Sequence, residues 1–314
     1  MIPAAGMLYN TRMKFNTALC AAAVCSCASF AAVADETANP ETEPFKSERS
    51  EEEKGEEEDG SFASAETYVG VASRYITYGL ISGKDPIVRA NGYVTFLDWW
   101  YIGAEMLFDM TKGNGKRGGY GNHAGKLMTL DAQTGLAHKF DLGETLGTLG
   151  VDFYFTYEWI PRHHGIMNDT DYLDIELTLN DLWFEPKLWI ERDMMLDEGT
   201  YVNLEVGHTF ALVGEGKDAE LTFKPSFAQG FGNTLRTRGY DLADDHGGVM
   251  DSTIKGVFVW TLCENVKVKA YVAYSDYWFD RTLRHGARDH NGAWGSSCDH
   301  SWNFYGGVGV AMSF

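Results

Sequence analysis

Long hydrophobic runs are missing from this chain. Nowhere in its 314 residues does an apolar stretch approach the ~20 residues that a membrane-spanning helix needs. Basic residues are scarce. Against 45 Asp and Glu there are 26 Lys and Arg, a formal net charge of -19, and phosphates would be repelled, so no nucleic-acid partner is expected. Proline is scarce too, at 7 residues, while glycine reaches 35 and aromatics 14%, a mix that favours many strands and turns over helices. Cysteine numbers five, and three of these (Cys20, Cys25, Cys27) fall in the first 34 residues. The other two, Cys263 and Cys298, have no metal-ligand spacing, so no metal site is expected.

The first 34 residues read as a signal peptide. Arg12 and Lys14 make a basic start around Met13, a plausible initiator; Ala18 to Val33 is small and apolar, and Ala32-Val33-Ala34 forms an A-x-A cleavage site. An uncleaved anchor is the alternative, and a lipoprotein is disfavoured because Val24 before Cys25 makes a poor lipobox. Residues 35–62 include the run Glu51 to Asp59, with Phe45 the main large apolar residue, and so read as a disordered acidic leader. Residues 63–314 form the folded domain.

That domain is written in period two. From 150 to 160, Val151, Phe153, Phe155, Tyr157 and Trp159 lie on one side of a strand, and Asp152, Tyr154, Thr156 and Glu158 on the other. Similar patterns cover 67–78, 183–192, 201–210 and 301–314, and about twelve such strands can be counted, an even number as bacterial barrels require. Charges within a strand keep to one face, so the apolar face is nearly charge-free, with Asp276 as the exception. Large aromatics crowd that face near strand ends: Trp159, Trp260, Trp278, Trp302 and Phe314 read as girdles at a membrane interface.

Connections alternate in length. Those at 97–99, 180–182 and 263–265 are tight and those at 140–147 and 211–219 moderate, whereas those at 109–126, 161–171, 231–250 and 280–300 are long and those at 80–86 and 193–200 shorter. The alternation predicts a closed antiparallel transmembrane β-barrel with short periplasmic turns and long extracellular loops. It also separates Cys263 from Cys298 by an apolar band ~25 Å tall, so no disulfide is expected, since one needs Cα atoms within ~7 Å.

Two resemblances follow from particular residues. The ending Ser301 to Phe314 resembles the terminal strand of bacterial outer-membrane β-barrels, which the barrel assembly machinery reads. Arg74-Tyr75-Ile76-Thr77-Tyr78-Gly79, then Asp85-Pro86 and Tyr101-Ile102-Gly103-Ala104, resembles the opening of TorF-type porins over roughly the first three strands. The charged leader and the long late loops depart from that family's compact pattern. Either resemblance implies passive diffusion of small solutes across the cell outer membrane, without a cofactor.

The inward charges are segregated. Glu105, Asp131, Asp152, Glu158, Asp174, Glu176, Glu185, Glu191 and Glu205 form an expected acidic wall, interrupted by Lys139 and Lys187. Arg74, Arg89, Lys224, Lys255, Lys267 and Lys269 form an expected basic wall. The expected function is a porin-like channel for small polar solutes or ions, with a transverse field across its lumen. Its expected partners are the lipid bilayer, lipopolysaccharide, the assembly machinery and the solutes. One alternative is a structural or adhesive barrel with a plugged lumen, in which the basic loop Thr111 to Gly119 could touch lipopolysaccharide or a long loop could fold inward. The other is an outer-membrane hydrolase, which would need a Ser–His or Asp–His pair near the rim. His138, His208, His163, His164, His285, His290 and His300 are the histidines considered, and none sits in a hydrolase motif, so no enzyme is expected.

Overall fold

The computed structural model describes residues 62–110, 125–143, 145–161, 169–214 and 220–314. The signal segment, the leader apart from Phe62, the loop Thr111 to Gly119, His163 and His164 lie outside the described residues. The strands are β1 (Ala63–Ala72), β2 (Tyr75–Thr77), β3 (Leu80–Gly83), β4 (Ile87–Phe96), β5 (Trp100–Asp109), β6 (Lys126–Asp141), β7 (Thr148–Trp159) and β8 (Thr170–Leu179). They continue as β9 (Lys187–Asp193), β10 (Thr200–Gly207), β11 (Phe210–Val213), β12 (Leu221–Gly232), β13 (Gly248–Cys263), β14 (Val266–Asp276) and β15 (Asn303–Ser313). Two helices, α1 (Thr234–Gly239) and α2 (Arg281–Gly292), sit in the last two long loops.

Thirteen strands make one sheet, and β2 and β3 make a separate hairpin. Because β10 and β11 follow one another along β12, the wall has twelve staves. Each stave pairs antiparallel with its neighbours, and β1 pairs with both β4 and β15, so the sheet closes with no free edge. At the seam the N–H of Phe314 donates to the Ala65 carbonyl at 2.8 Å, and the N–H of Ala65 to the Phe314 carbonyl at 3.0 Å. The Tyr68 ring lies across Gly309 inside the seam, where a Cβ would come within 2.4 Å of its hydroxyl. Glycine there lets the ring lie flat against the wall.

Followed round the ring, the pairings accumulate a stagger of about 16 residues. For twelve strands at ordinary strand spacings this gives a tilt of roughly 43° and a backbone radius of roughly 12–13 Å. Such a cylinder is wider than its own wall side chains can fill, so the bore must hold water or other parts of the chain.

The exterior is apolar. Phe153 and Phe155 are 43% and 40% exposed, while Asp152, Tyr154 and Thr156 between them are buried on the inside. Ile254, Phe258, Val272, Phe304 and Val308 repeat the pattern on β13 to β15. Trp159, Trp302 and Trp278 stand toward the long-loop end, and Trp260 and Phe314 toward the short-turn end. Cys263 and Cys298 form no disulfide.

Several strand boundaries differ from the sequence expectation, three of them for reasons visible in the chain. The first strand stops at Ala72 rather than near Tyr78, because Leu80 and Ile81 are fully buried inside the bore and the chain doubles back there as β2–β3. Tyr78 and Gly79 make its tight turn, with φ of 44° and 75°. The stave expected from Trp183 begins only at Lys187, since Pro186 offers no N–H and Glu185 adopts a left-handed φ of 36°. The stave expected over 201–210 is interrupted at His208 and Thr209, beside Pro225 on β12, which cannot donate to the ladder.

Candidate functional site

The lumen is built from the inward registers of the staves. Asp131 stands directly opposite both Glu105 and Glu158, Asp152 opposite Glu176, and Asp174 opposite Glu191. All seven are buried. Glu105, Asp152, Asp174 and Glu176 have partners along the wall, whereas Glu191 is met by Arg236 from the α1 loop. Arg89 contacts Glu105 Oε2 through Nε at 2.7 Å and Nη2 at 2.6 Å. Tyr101 donates to Asp152 at 3.0 Å, the Trp189 indole N–H to Asp174 at 2.8 Å, and Lys187 meets Glu176 at 3.1 Å. Glu205 is half-buried on β10.

Glu185 is not on a strand. It lies in the turn before β9, where it binds Lys224 at 2.6 Å and takes hydrogen bonds from the N–H and hydroxyl of Thr209. Lys255, Lys267 and Lys269 lie on β13 and β14, with Lys255 and Lys267 half-buried and Lys269 buried. Arg74 falls outside the wall, in the link between β1 and β2, because the first stave ends two residues before it. Lys139 is exposed at the short-turn end of β6.

Loops pack into the long-loop half of the bore. Tyr78 and Leu80 from the hairpin, Leu242 from the α1 loop, and Leu283 and Ala287 from α2 form one apolar cluster with Trp189, Tyr201 and Met250 of the wall. A second cluster joins Tyr75 to Ile87, Leu107 and Met128. The hairpin tip is pinned from two sides: Tyr277 donates its hydroxyl to the Tyr78 carbonyl at 2.7 Å, and Asn303 donates to the Gly79 carbonyl at 2.7 Å. Gly286 of α2 packs directly on Leu242, whose carbonyl oxygen would lie 2.1 Å from an added Cβ.

Two contacts tie the loops together. Arg236 of α1 is fully buried and reaches Glu191 of β9 at 2.7 Å and the Tyr78 hydroxyl at 2.9 Å. Asp280 caps α2, accepting from the N–H groups of Thr282 and Leu283 through Oδ1, while its Oδ2 meets His246 of the α1 loop at 2.7 Å. Partial burial disfavours the ionised Asp280, but the hydrogen bonds from His246 and the helix N–H groups outweigh it and hold this carboxyl below the usual range. On the outer surface the hydrogen bond from Arg288 likewise lowers Asp299.

The His246–Asp280 pair is the kind of contact a hydrolase would need, and the same Asp280 caps α2 through its other oxygen. His208 stacks on Trp183 at 4.7 Å and His138 packs edge-on to Phe140 at 4.7 Å, both on the outside of the wall. His290 is driven toward its neutral form by burial between the Ile81 and Tyr240 carbonyls, and His300 stacks on Trp302. His285 is exposed on α2. The sequence reading missed Arg236, Trp189, His246 and both helices. Asp280 three residues before Leu283, followed by Gly286 and Ala287, was the available helix signal.

No protein-family model matches the sequence, and no curated protein matches it either. Among solved structures it is similar to the KdgM porin in complex with disordered oligogalacturonate (10% identity, TM-score 0.44), covering 80% of this chain and 99% of that one. The NanC porin is similar at 10% identity and TM-score 0.44, covering 79% of this chain and 98% of that one. An outer-membrane channel from Pseudomonas putida F1 is similar at 10% identity and TM-score 0.45, covering 82% of this chain and 100% of that one. The edge-free sheet and its apolar exterior make this chain a transmembrane β-barrel of the outer-membrane type.

Proposed function

We propose that the chain is a porin-like channel for passive diffusion of small polar solutes or ions across the outer membrane. The observation that carries this reading is the inward row of charged side chains in a bore too wide for the wall to fill. The acidic staves β5 to β10 face Lys224, Lys255, Lys267 and Lys269 on β12 to β14, which would set up a transverse field where water remains. The half-buried lysines lie toward the short-turn end, beyond the packed loops. The lipid bilayer surrounds the barrel. Lipopolysaccharide at the loop end, and the assembly machinery acting on β15 and Phe314, complete the proposed set of partners.

A second reading, a plugged structural barrel, is favoured by one specific observation: the apolar cluster packed into the long-loop half. Planar-bilayer recording on the refolded chain decides between them. Discrete ohmic steps whose reversal potential shifts toward cation selectivity in Lys267→Gln/Lys269→Gln support the channel. A silent bilayer at every holding potential supports the plug.

A further inference from the structure

Arg236 is held in a way that describes a ligand as well as a latch. Its guanidinium donates through Nη2 to Glu191 Oε1 at 2.7 Å and through Nη1 to the Tyr78 hydroxyl at 2.9 Å. Its Nε lies 3.5 Å from Asp197 Oδ2 in the loop between β9 and β10. The carbon of the guanidinium sits 4.9 Å from the Tyr78 ring centre and 5.7 Å from that of Tyr240. Two carboxylates, a phenol hydroxyl and two aromatic faces thus surround one planar cation, the set that recognises guanidinium and related organic cations.

Three features say that this occupant is exchangeable. The cation arrives on a six-residue helix, too short to hold itself without its contacts. Its Nε is buried yet makes no hydrogen bond, so the fit is incomplete. Tyr78, which supplies both a ring and a hydroxyl, is held at a φ of 44°, an unfavourable conformation for a tyrosine that orients it into the cage. Glu191, Asp197 and Tyr78 are fixed on wall stave, tight loop and pinned hairpin, whereas the ligand, together with Tyr240, is carried on a single short helical segment.

We propose that Glu191, Asp197 and Tyr78 form a binding site for a guanidinium- or amine-bearing organic cation, which Arg236 occupies as an internal stand-in. A free cation of that class competes with Arg236 and releases α1 from the bore. This deepens the channel reading by naming a solute class, and rests on that reading only for the solute's passage, not for its binding.

Agmatine, a guanidinium-bearing amine without a carboxylate, is the probe. In the full chain with Arg236→Ala, calorimetry should show saturable agmatine binding, weakened about tenfold or more by adding Glu191→Gln, which removes a charge-assisted bond. In the unsubstituted protein, agmatine should accelerate hydrogen exchange across residues 233–247, and potassium chloride of equal ionic strength should not. The second measurement needs no substitution and so stands even if Arg236→Ala fails to fold. Unchanged exchange in the unsubstituted protein, or binding indifferent to Glu191→Gln, overturns the proposal. Neither readout requires conductance, so a silent bilayer would remove the channel reading and leave the cation site intact.

Discussion

Arg89 offers the sharpest perturbation of the inner wall. It touches a single oxygen of Glu105, a residue 1% exposed, and Asn91 adds a hydrogen bond to the same oxygen at 3.3 Å. Asp131 faces Glu105 directly across the β5–β6 register. With Cβ atoms about 5 Å apart and an effective dielectric near 20, two such carboxylates repel by roughly 3 kcal/mol. Arg89 offsets this repulsion and shields the buried charge. Replacing it by Ala strands Glu105 beside Asp131, and removing one partner of a buried pair costs about 3–5 kcal/mol. Reversible urea unfolding of the barrel in lipid vesicles measures this directly. Adding Glu105→Gln should restore most of the loss, because the stranded charge is then gone. A loss under about 0.5 kcal/mol, the level of an exposed ion pair, would mean that water reaches Glu105 freely and that this wall is wet.

The remaining expectations concern the outer face, the lumen and the cap. Ile254→Arg, on the lipid side of β13, should destabilise the folded barrel in vesicles by about 2–4 kcal/mol, whereas the inward Thr253→Arg should cost much less in the same assay. Gly286→Leu should drive α2 off Leu242, read as faster protease cleavage in the loops with the heat-modifiable gel shift of the barrel retained. The lowered Asp280 carboxyl contributes cap stability that is complete above the ordinary aspartate range and lost as pH falls through its lower folded value. Hydrogen exchange at residues 281–284 should therefore rise on acidification below about pH 4, after correction for intrinsic rates, and Asp280→Asn should flatten that rise.

The wall could be read from the sequence because its physics is local. A residue such as Phe155 or Asp152 declares its side by parity alone, and the bilayer enforces that parity on every stave. What parity does not encode is where pairing stops. Residues 73–78 keep alternating, yet they leave the wall because the next apolar residues, Leu80 and Ile81, find burial inside the bore. The cap was hidden for a related reason. Arg236 and Leu242 come from one loop and Leu283 from another, and each looks like an ordinary loop residue until closure of the barrel brings β9, β10 and β13 round to face the hairpin. The segregation of inward charge was legible, but its local pairing was not: Lys224 meets Glu185 only because the turn before β9 tucks that glutamate under β12.

The account depends on one closed sheet with lipid outside and a polar interior. Fluorophore-labelled single cysteines at positions 152–157, placed one at a time in a chain with all five native cysteines replaced by Ser, test it most directly. In vesicles carrying a lipid-borne nitroxide quencher, probes at 153, 155 and 157 should be quenched and those at 152, 154 and 156 spared. Uniform quenching, or the opposite alternation, would contradict it.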